Sequence, residues 1–113
     1  MALRAPPFVT AEVRDFVHLV EQAWAHAGYP SVTLTSWWRT RYQNALVGGH
    51  PSSQHLTGLA IDLLSDVPGD RFASAARLVG LVPVDEGDHW HVQRFAASAA
   101  RGLCCGLAVA QVR

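Results

Sequence analysis

Residues 52–64 read SSQHLTGLAIDLL. A polar loop punctuated by Gly58 runs into an apolar segment, Leu59–Ser65, whose length and composition predict a strand buried on both faces. One residue breaks that pattern. Asp62 sits between Ile61 and Leu63, where a carboxylate is costly unless a partner offsets its charge. His55 stands seven residues earlier. Along one unbroken strand that odd offset puts the two side chains on opposite faces. They converge only if the chain bends between them, and Gly58 is the residue that permits the bend.

Outward from this stretch the chain alternates helices and strands. Thr10 is an N-cap candidate for a helix carrying Phe16, Val17, Val20, Ala23, Trp24 and Ala27 at helical spacing, ended by Gly28 and Pro30. SVTLTSWW (31–38) alternates and is β-branched, which predicts a strand with Val32 and Leu34 on one face. TRYQNALV (40–47) suits a short helix before Gly48-Gly49, and HPSSQHLTG (50–58) has loop chemistry. VPGD (67–70) is expected to be a turn, with a second amphipathic helix over 70–79. LVPVD and HWHVQRF flank EGD (86–88) as an antiparallel hairpin. The expected class is α+β: a single domain, mainly antiparallel sheet with a hairpin toward its C-terminal side, and helices packed against the sheet. Residues 32–95 carry the motifs, and the apolar tail 96–113 is a candidate packing helix weakened by Gly102 and Gly106.

Composition narrows the function classes. A chain of 113 residues fits one domain. The formal net charge is zero, which gives no electrostatic case for nucleic acid or an anionic membrane. All 9 cationic side chains are Arg, so a lysine Schiff base and a phosphate-loop lysine are excluded. No stretch reaches the roughly 18 uninterrupted apolar residues of a membrane span. The sequence predicts no signal peptide, so the protein is expected to be made in the cytoplasm and delivered by another route. Cys104 and Cys105 are adjacent. Their Cα atoms are about 3.8 Å apart, below the usual disulfide range, so a reduced, packed pair is expected.

Three polar residues are not explained by folding alone: His55, Asp62 and His91, the last on the predicted strand of DHWHVQ (88–93). Two imidazoles and a carboxylate suit a divalent first-row metal, zinc above all. Three protein ligands leave a fourth position for water, as in catalytic rather than structural zinc sites. Asp62 would then be buried because it faces a dication. His89 is two residues from His91, shares its predicted face, and is a rival ligand or a pocket group. His18 and His26, on the first helix, are expected to be solvated or packed, and His50, in a loop, to be exposed. Trp37, Trp38 and Trp90 are candidates for a substrate groove or for the core.

These residues carry a resemblance. SQHLTGLAID (53–62) resembles the S-x-H-x-x-G-x-A-x-D signature of the zinc D-Ala-D-Ala carboxypeptidase family, matching at Ser53, His55, Gly58, Ala60 and Asp62. That family also holds the vancomycin-resistance D,D-dipeptidases and the L-alanyl-D-glutamate peptidases of phage endolysins. SWWRTRYQNALVGG (36–49) is similar to a second family block through Ser36, Arg39, Thr40, Asn44, Val47, Gly48 and Gly49. Asp88, Trp90 and His91 resemble the acid-x-W-H block, and the three blocks follow in family order.

The resemblance implies a zinc metallopeptidase, a hydrolase acting on the stem peptide of bacterial peptidoglycan. One zinc per chain would be held by His55, Asp62 and His91. Asp88 would be the general base, Arg39 would bind the scissile carbonyl and its developing oxyanion, and Ser53 would orient substrate. Several relatives have Glu at the base position where this chain has Asp88. Glu86 in the same turn is therefore the alternative base. Cleavage would fall at a D-Ala-D-Ala terminus or at an L-Ala-D-Glu bond, at the bacterial cell wall. Hedgehog signalling domains resemble the family too, so the alternative is a non-catalytic zinc module, part of a phage particle, docked through the apolar tail.

Overall fold

The computed structural model describes residues 3–96. The tail and Cys104-Cys105 lie outside the described residues. Along the chain run α1 (Ala11–His26), β1 (Leu34–Ser36), α2 (Arg41–Leu46), a 3-10 turn (Gln54–Thr57), β2 (Ala60–Leu64), α3 (Val67–Leu78), β3 (Val82–Asp85) and β4 (His89–Gln93). The strands form one antiparallel sheet in the order β1-β2-β4-β3. The helices α1 and α3 pack together, and α3 lies on β3 and β4. This is the α+β domain that the alternation of patterns predicts.

Local chemistry sets the helix ends. Thr10 caps α1 by accepting the Val13 N–H at 3.1 Å, and Gly28 leaves the helix at φ +83°. Thr40 and Gln43 cap α2 reciprocally, each side chain bonding the other's backbone N–H at 3.1 Å. VPGD corrects the expectation of a turn: it is the first turn of α3. Asp66 accepts the Gly69 N–H at 2.9 Å, and Pro68 sits in the first turn, where the missing N–H costs nothing. Gly69 serves close approach here, since a Cβ would lie 1.9 Å from the Leu64 carbonyl oxygen.

The first strand is shorter than SVTLTSWW suggests. Only Leu34–Ser36 is strand, because Trp37 and Trp38 turn their backbones away: the Trp38 N–H bonds the Arg4 carbonyl at 3.0 Å. The indoles of Trp37 and Trp38 donate to the carbonyls of Gly58 and Leu56 at 2.8 and 3.2 Å, fixing the 3-10 turn against them.

Strand alternation then divides the sheet. Ile61, Leu63 and Val92 enter the core with Phe16 and Phe72, and Trp90 packs at its edge. Burying these side chains removes each from water at about 1.5–3 kcal/mol apiece, which anchors the register. The opposite face receives Asp62 from β2 and His89, His91 and Gln93 from β4. Pairing sets Ser36, Asp62, His91 and Val84 in one row across the four strands.

Candidate metal centre

The row across the sheet carries the site. Asp62 and His91 are direct cross-strand partners, so their side chains rise side by side from one face. His55 arrives from the 3-10 turn. Ser53 caps that turn by accepting the His55 N–H at 3.2 Å, and Gly58 ends it at φ +77°, the left-handed conformation that returns the chain into β2. That bend resolves the odd offset between His55 and Asp62.

Around Asp62 the distances are short. His55 Nε2 lies 3.1 Å and His91 Nδ1 3.2 Å from Asp62 Oδ1. The two rings stand 5.0 Å apart between centroids. Asp62 Oδ2 accepts from Arg39 Nη2 at 2.8 Å. Arg39 Nη1 donates to Asn44 Oδ1 at 3.2 Å, and Asn44 Nδ2 donates to the His50 carbonyl at 2.8 Å. His55 and Asp62 are buried.

The far side of each imidazole decides what the near side can do. His55 Nδ1 faces the Trp37 carbonyl, which only accepts, so that nitrogen carries the proton. His91 Nε2 faces Gln93 Oε1 at 2.7 Å. The amide of Gln93 is oriented by its own donation to the Phe95 carbonyl at 2.7 Å, so His91 Nε2 is the donor. In its neutral form each ring therefore turns a lone pair toward Asp62 Oδ1. Two lone pairs and a carboxylate oxygen converging at about 3 Å repel one another unless a cation lies among them. The donor set fits zinc: the three ligand atoms lie within 4.8 Å of one another. Without a metal, burial opposes ionisation of Asp62; where His55 and His91 carry protons toward it, their hydrogen bonds and charge outweigh that burial and hold the carboxyl well below its ordinary range.

An open cleft of about 580 Å³ lies over the cluster, with Arg39, Val47, Ser53, Val84, Glu86 and His89 among its walls. The hairpin brings both acidic candidates to this end of the sheet in different ways. Glu86 lines the cleft, and its carboxylate, His89 and Asp62 offer a second group of ligand atoms within 4.8 Å. Asp88 is largely exposed and lines an adjoining cavity with Ser36, Arg39 and Asp62. His89 joins the two carboxylates: Nδ1 meets Asp88 Oδ1 at 2.7 Å and Nε2 meets Glu86 Oε1 at 2.8 Å. Its hydrogen bond to Asp88, more than the burial that opposes it, raises the imidazole pKa, and the same bond lowers that of Asp88.

Three contributions escape a reading of residue types. The Trp37 carbonyl is backbone and has no sequence signature. Gln93 could have been found from its place two residues beyond His91, on the same strand face. Asn44 falls within a recognised block, but its bond to Arg39 needs the fold. Of the tryptophans, Trp37 and Trp38 hold the 3-10 turn, and Trp90 donates to Asp70 at 2.8 Å.

Comparison with known proteins bears on the same segment. The search of curated proteins returns no match. The model of the family described as Peptidase M15 matches residues 3–97. That span takes in every element of the fold and all three sequence blocks. With most of the chain matched, and with a His55–Asp62–His91 cluster that could hold the metal, the chain belongs to the peptidase M15 family of zinc-dependent metallopeptidases.

Proposed function

We propose that the protein hydrolyses peptide bonds in the stem peptides of bacterial peptidoglycan, at a D-Ala-D-Ala terminus or an L-Ala-D-Glu bond, and acts at the cell wall. The observation that carries the reading is the convergence of the His55, Asp62 and His91 acceptor atoms in the floor of an open cleft, with Arg39 behind them and two carboxylates at the rim.

His55, Asp62 and His91 would hold the zinc, which when bound would supply a Lewis acid able to activate water near neutral pH. The remaining work falls to the chain. Arg39, held by Asp62 and Asn44, offers its remaining N–H groups to the carbonyl oxygen as negative charge develops there. Ser53 uses its oxygen for the His55 N–H, leaving its hydroxyl proton to orient a substrate carbonyl. Asp88 takes up the proton of the attacking water and returns it to the leaving nitrogen, a role worth roughly 10²- to 10⁴-fold in rate. Glu86 is the second reading for that base, because it is Glu86 that lines the cleft. In either case His89 bonds the carboxylate concerned.

The test is digestion of intact peptidoglycan. New amino groups should appear without new reducing sugar ends, since glycosidases usually work with two carboxylates and no metal. A chelator should stop the release and zinc restore it. Reducing ends without amines refute the peptidase reading. No release of either kind from folded, zinc-loaded protein favours a non-catalytic zinc module.

A further inference from the structure

The hairpin tip beside the metal cluster holds a second set of donors. Glu86 and His89 close it: the Glu86 N–H donates to the His89 carbonyl at 2.9 Å, and Gly87 makes the tip at φ +95°. Asp85 is taken up by the turn itself, its Oδ1 accepting the Gly87 N–H at 3.0 Å. His89 lies two residues before His91 on β4 and shares its face. Its ring stands between two carboxylates, with Nδ1 2.7 Å from Asp88 Oδ1 and Nε2 2.8 Å from Glu86 Oε1.

Both of those oxygens only accept when the carboxyls are ionised, and a neutral imidazole has one N–H to give. With that proton on the Asp88 side, the Nε2 lone pair faces Glu86 Oε1 at 2.8 Å, and the contact needs a cation between the two atoms. A proton serves two donors. A metal ion gathers more, and a third is in place: atoms of Asp62, Glu86 and His89 all lie within 4.8 Å of one another. Imidazole and carboxylate are zinc ligands. Asp62 has capacity left. Each carboxylate oxygen carries two lone pairs, and Oδ2 gives one to Arg39 Nη2. Ser36, the cross-strand partner of Asp62, is buried with its Oγ unpartnered among the described residues, and it lines the small cavity that Asp62 and His89 share. A water on a second ion there would give that hydroxyl the partner it lacks.

Charge sets the order of filling. With one zinc on His55, Asp62 and His91, the ion and Arg39 are balanced by Asp62, Glu86 and Asp88. A second dication meets neutral surroundings and a like-charged neighbour, so it binds more weakly than the first. Its ligands Glu86 and His89 wall the cleft, so the ion stands in the space a substrate must enter.

We propose that Asp62, Glu86 and His89 form a second, weaker zinc site, joined to the first through Asp62, and that zinc in excess fills it and shuts substrate out of the cleft. The site itself stands apart from the peptidase reading above; the exclusion of substrate rests on it.

The experiment is equilibrium dialysis of the protein against rising zinc, with bound metal measured by elemental analysis. The parent should take up a second ion at least roughly tenfold more weakly than the first. Glu86→Gln and His89→Gln should each keep the first ion and weaken the second by at least the roughly 10- to 100-fold that loss of an outer partner costs a metal site. His18→Gln, which removes an exposed imidazole on α1, should leave both ions bound. Melting in excess chelator checks that each variant folds. In the parent, kcat/KM for an N-acylated stem pentapeptide should fall over the zinc range that fills the second site. A parent that stops at one zinc overturns the proposal, as does a second ion that survives both cleft variants. An unchanged kcat/KM while the second ion binds overturns the exclusion of substrate. No cleavage at any zinc level refutes the peptidase reading, and the exclusion falls with it, while the dialysis still decides the site.

Discussion

Replacing Gln93 by Leu tests the reasoning that gives this site its charge. Gln93 Oε1 holds the His91 Nε2 proton at 2.7 Å, and that bond leaves His91 Nδ1 as a lone pair facing Asp62. Leucine keeps much of the side-chain bulk and removes the acceptor. Two effects follow, both against metal binding. The His91 N–H loses a hydrogen bond worth about 0.5–1.5 kcal/mol net. The ring is also freed to move its proton to Nδ1, where it can donate to Asp62 Oδ1 in the metal-free protein, a bond that zinc must then displace. Loss of such an outer partner typically weakens metal binding by about 10- to 100-fold, or about 1.4–2.7 kcal/mol. Gln93→Glu keeps an acceptor and makes it charged, so its affinity should equal or exceed that of the parent. Zinc affinity is measured by competition with a chromophoric chelator, and melting in excess chelator checks that each variant folds. A Gln93→Leu protein that binds zinc within about twofold of the parent would refute the tautomer argument, and with it the claim that three acceptor atoms converge on one point.

Asp62→Asn leaves the nearly buried Arg39 without its counter-ion and should cost about 3 kcal/mol or more in metal-free protein, read as a melting point lower by roughly 10 °C. Because the folded-state pKa of Asp62 is depressed, the parent's advantage should be full above the unfolded carboxylate value of about 3.9 and fade as pH falls through the folded value; an advantage that instead grows in acid contradicts the assignment. Asp88→Asn and Glu86→Gln, each with zinc retained, separate the two candidate bases: the true base loses roughly 10² to 10⁴ in kcat, and equal, near-parental rates would dismiss both. The His89 imidazole should titrate above its ordinary value in metal-free protein, so its small stabilising contribution is present below about pH 6.5 and lost as pH rises through the raised pKa. Ring NMR should show that pKa falling in Asp88→Asn, and no change there would mean the Asp88 bond is absent in solution.

Much of this protein is determined by short-range sequence chemistry. The helix starts at Thr10 and Thr40 follow from side chains that satisfy backbone donors within three residues. The strand around Asp62, buried from Ala60 to Leu63 though not at Leu64 as expected, and the final hairpin follow from periodicity and a short turn. The bend at Gly58 was legible because only a residue tolerant of positive φ lets His55 and Asp62 meet. Together with the ligand chemistry of the side chains, those features bring His55, Asp62 and His91 forward as the candidate metal cluster. The first turn of α3 misled a local reading because Pro68 and Gly69 are turn residues by composition. There the Asp66 cap and the close approach of Gly69 to Leu64 make them helical. The rest depends on register and long-range contact. Asp62 and His91 become neighbours because Ile61, Leu63, Trp90 and Val92 fix the pairing of β2 with β4 by entering or packing against the core. The Trp37 carbonyl, Asn44 and Gln93 act on groups that the tertiary fold presents to them: His55, Arg39 and a ring already committed to Asp62. Which hairpin carboxylate enters the cleft is set by the twist of three residues at its tip, where strand alternation no longer applies. A sequence can specify which ligands are present, since ligand chemistry belongs to the residue. The lone pair each ligand offers belongs to whatever stands on the ring's other side, and only the packed structure brings that group there.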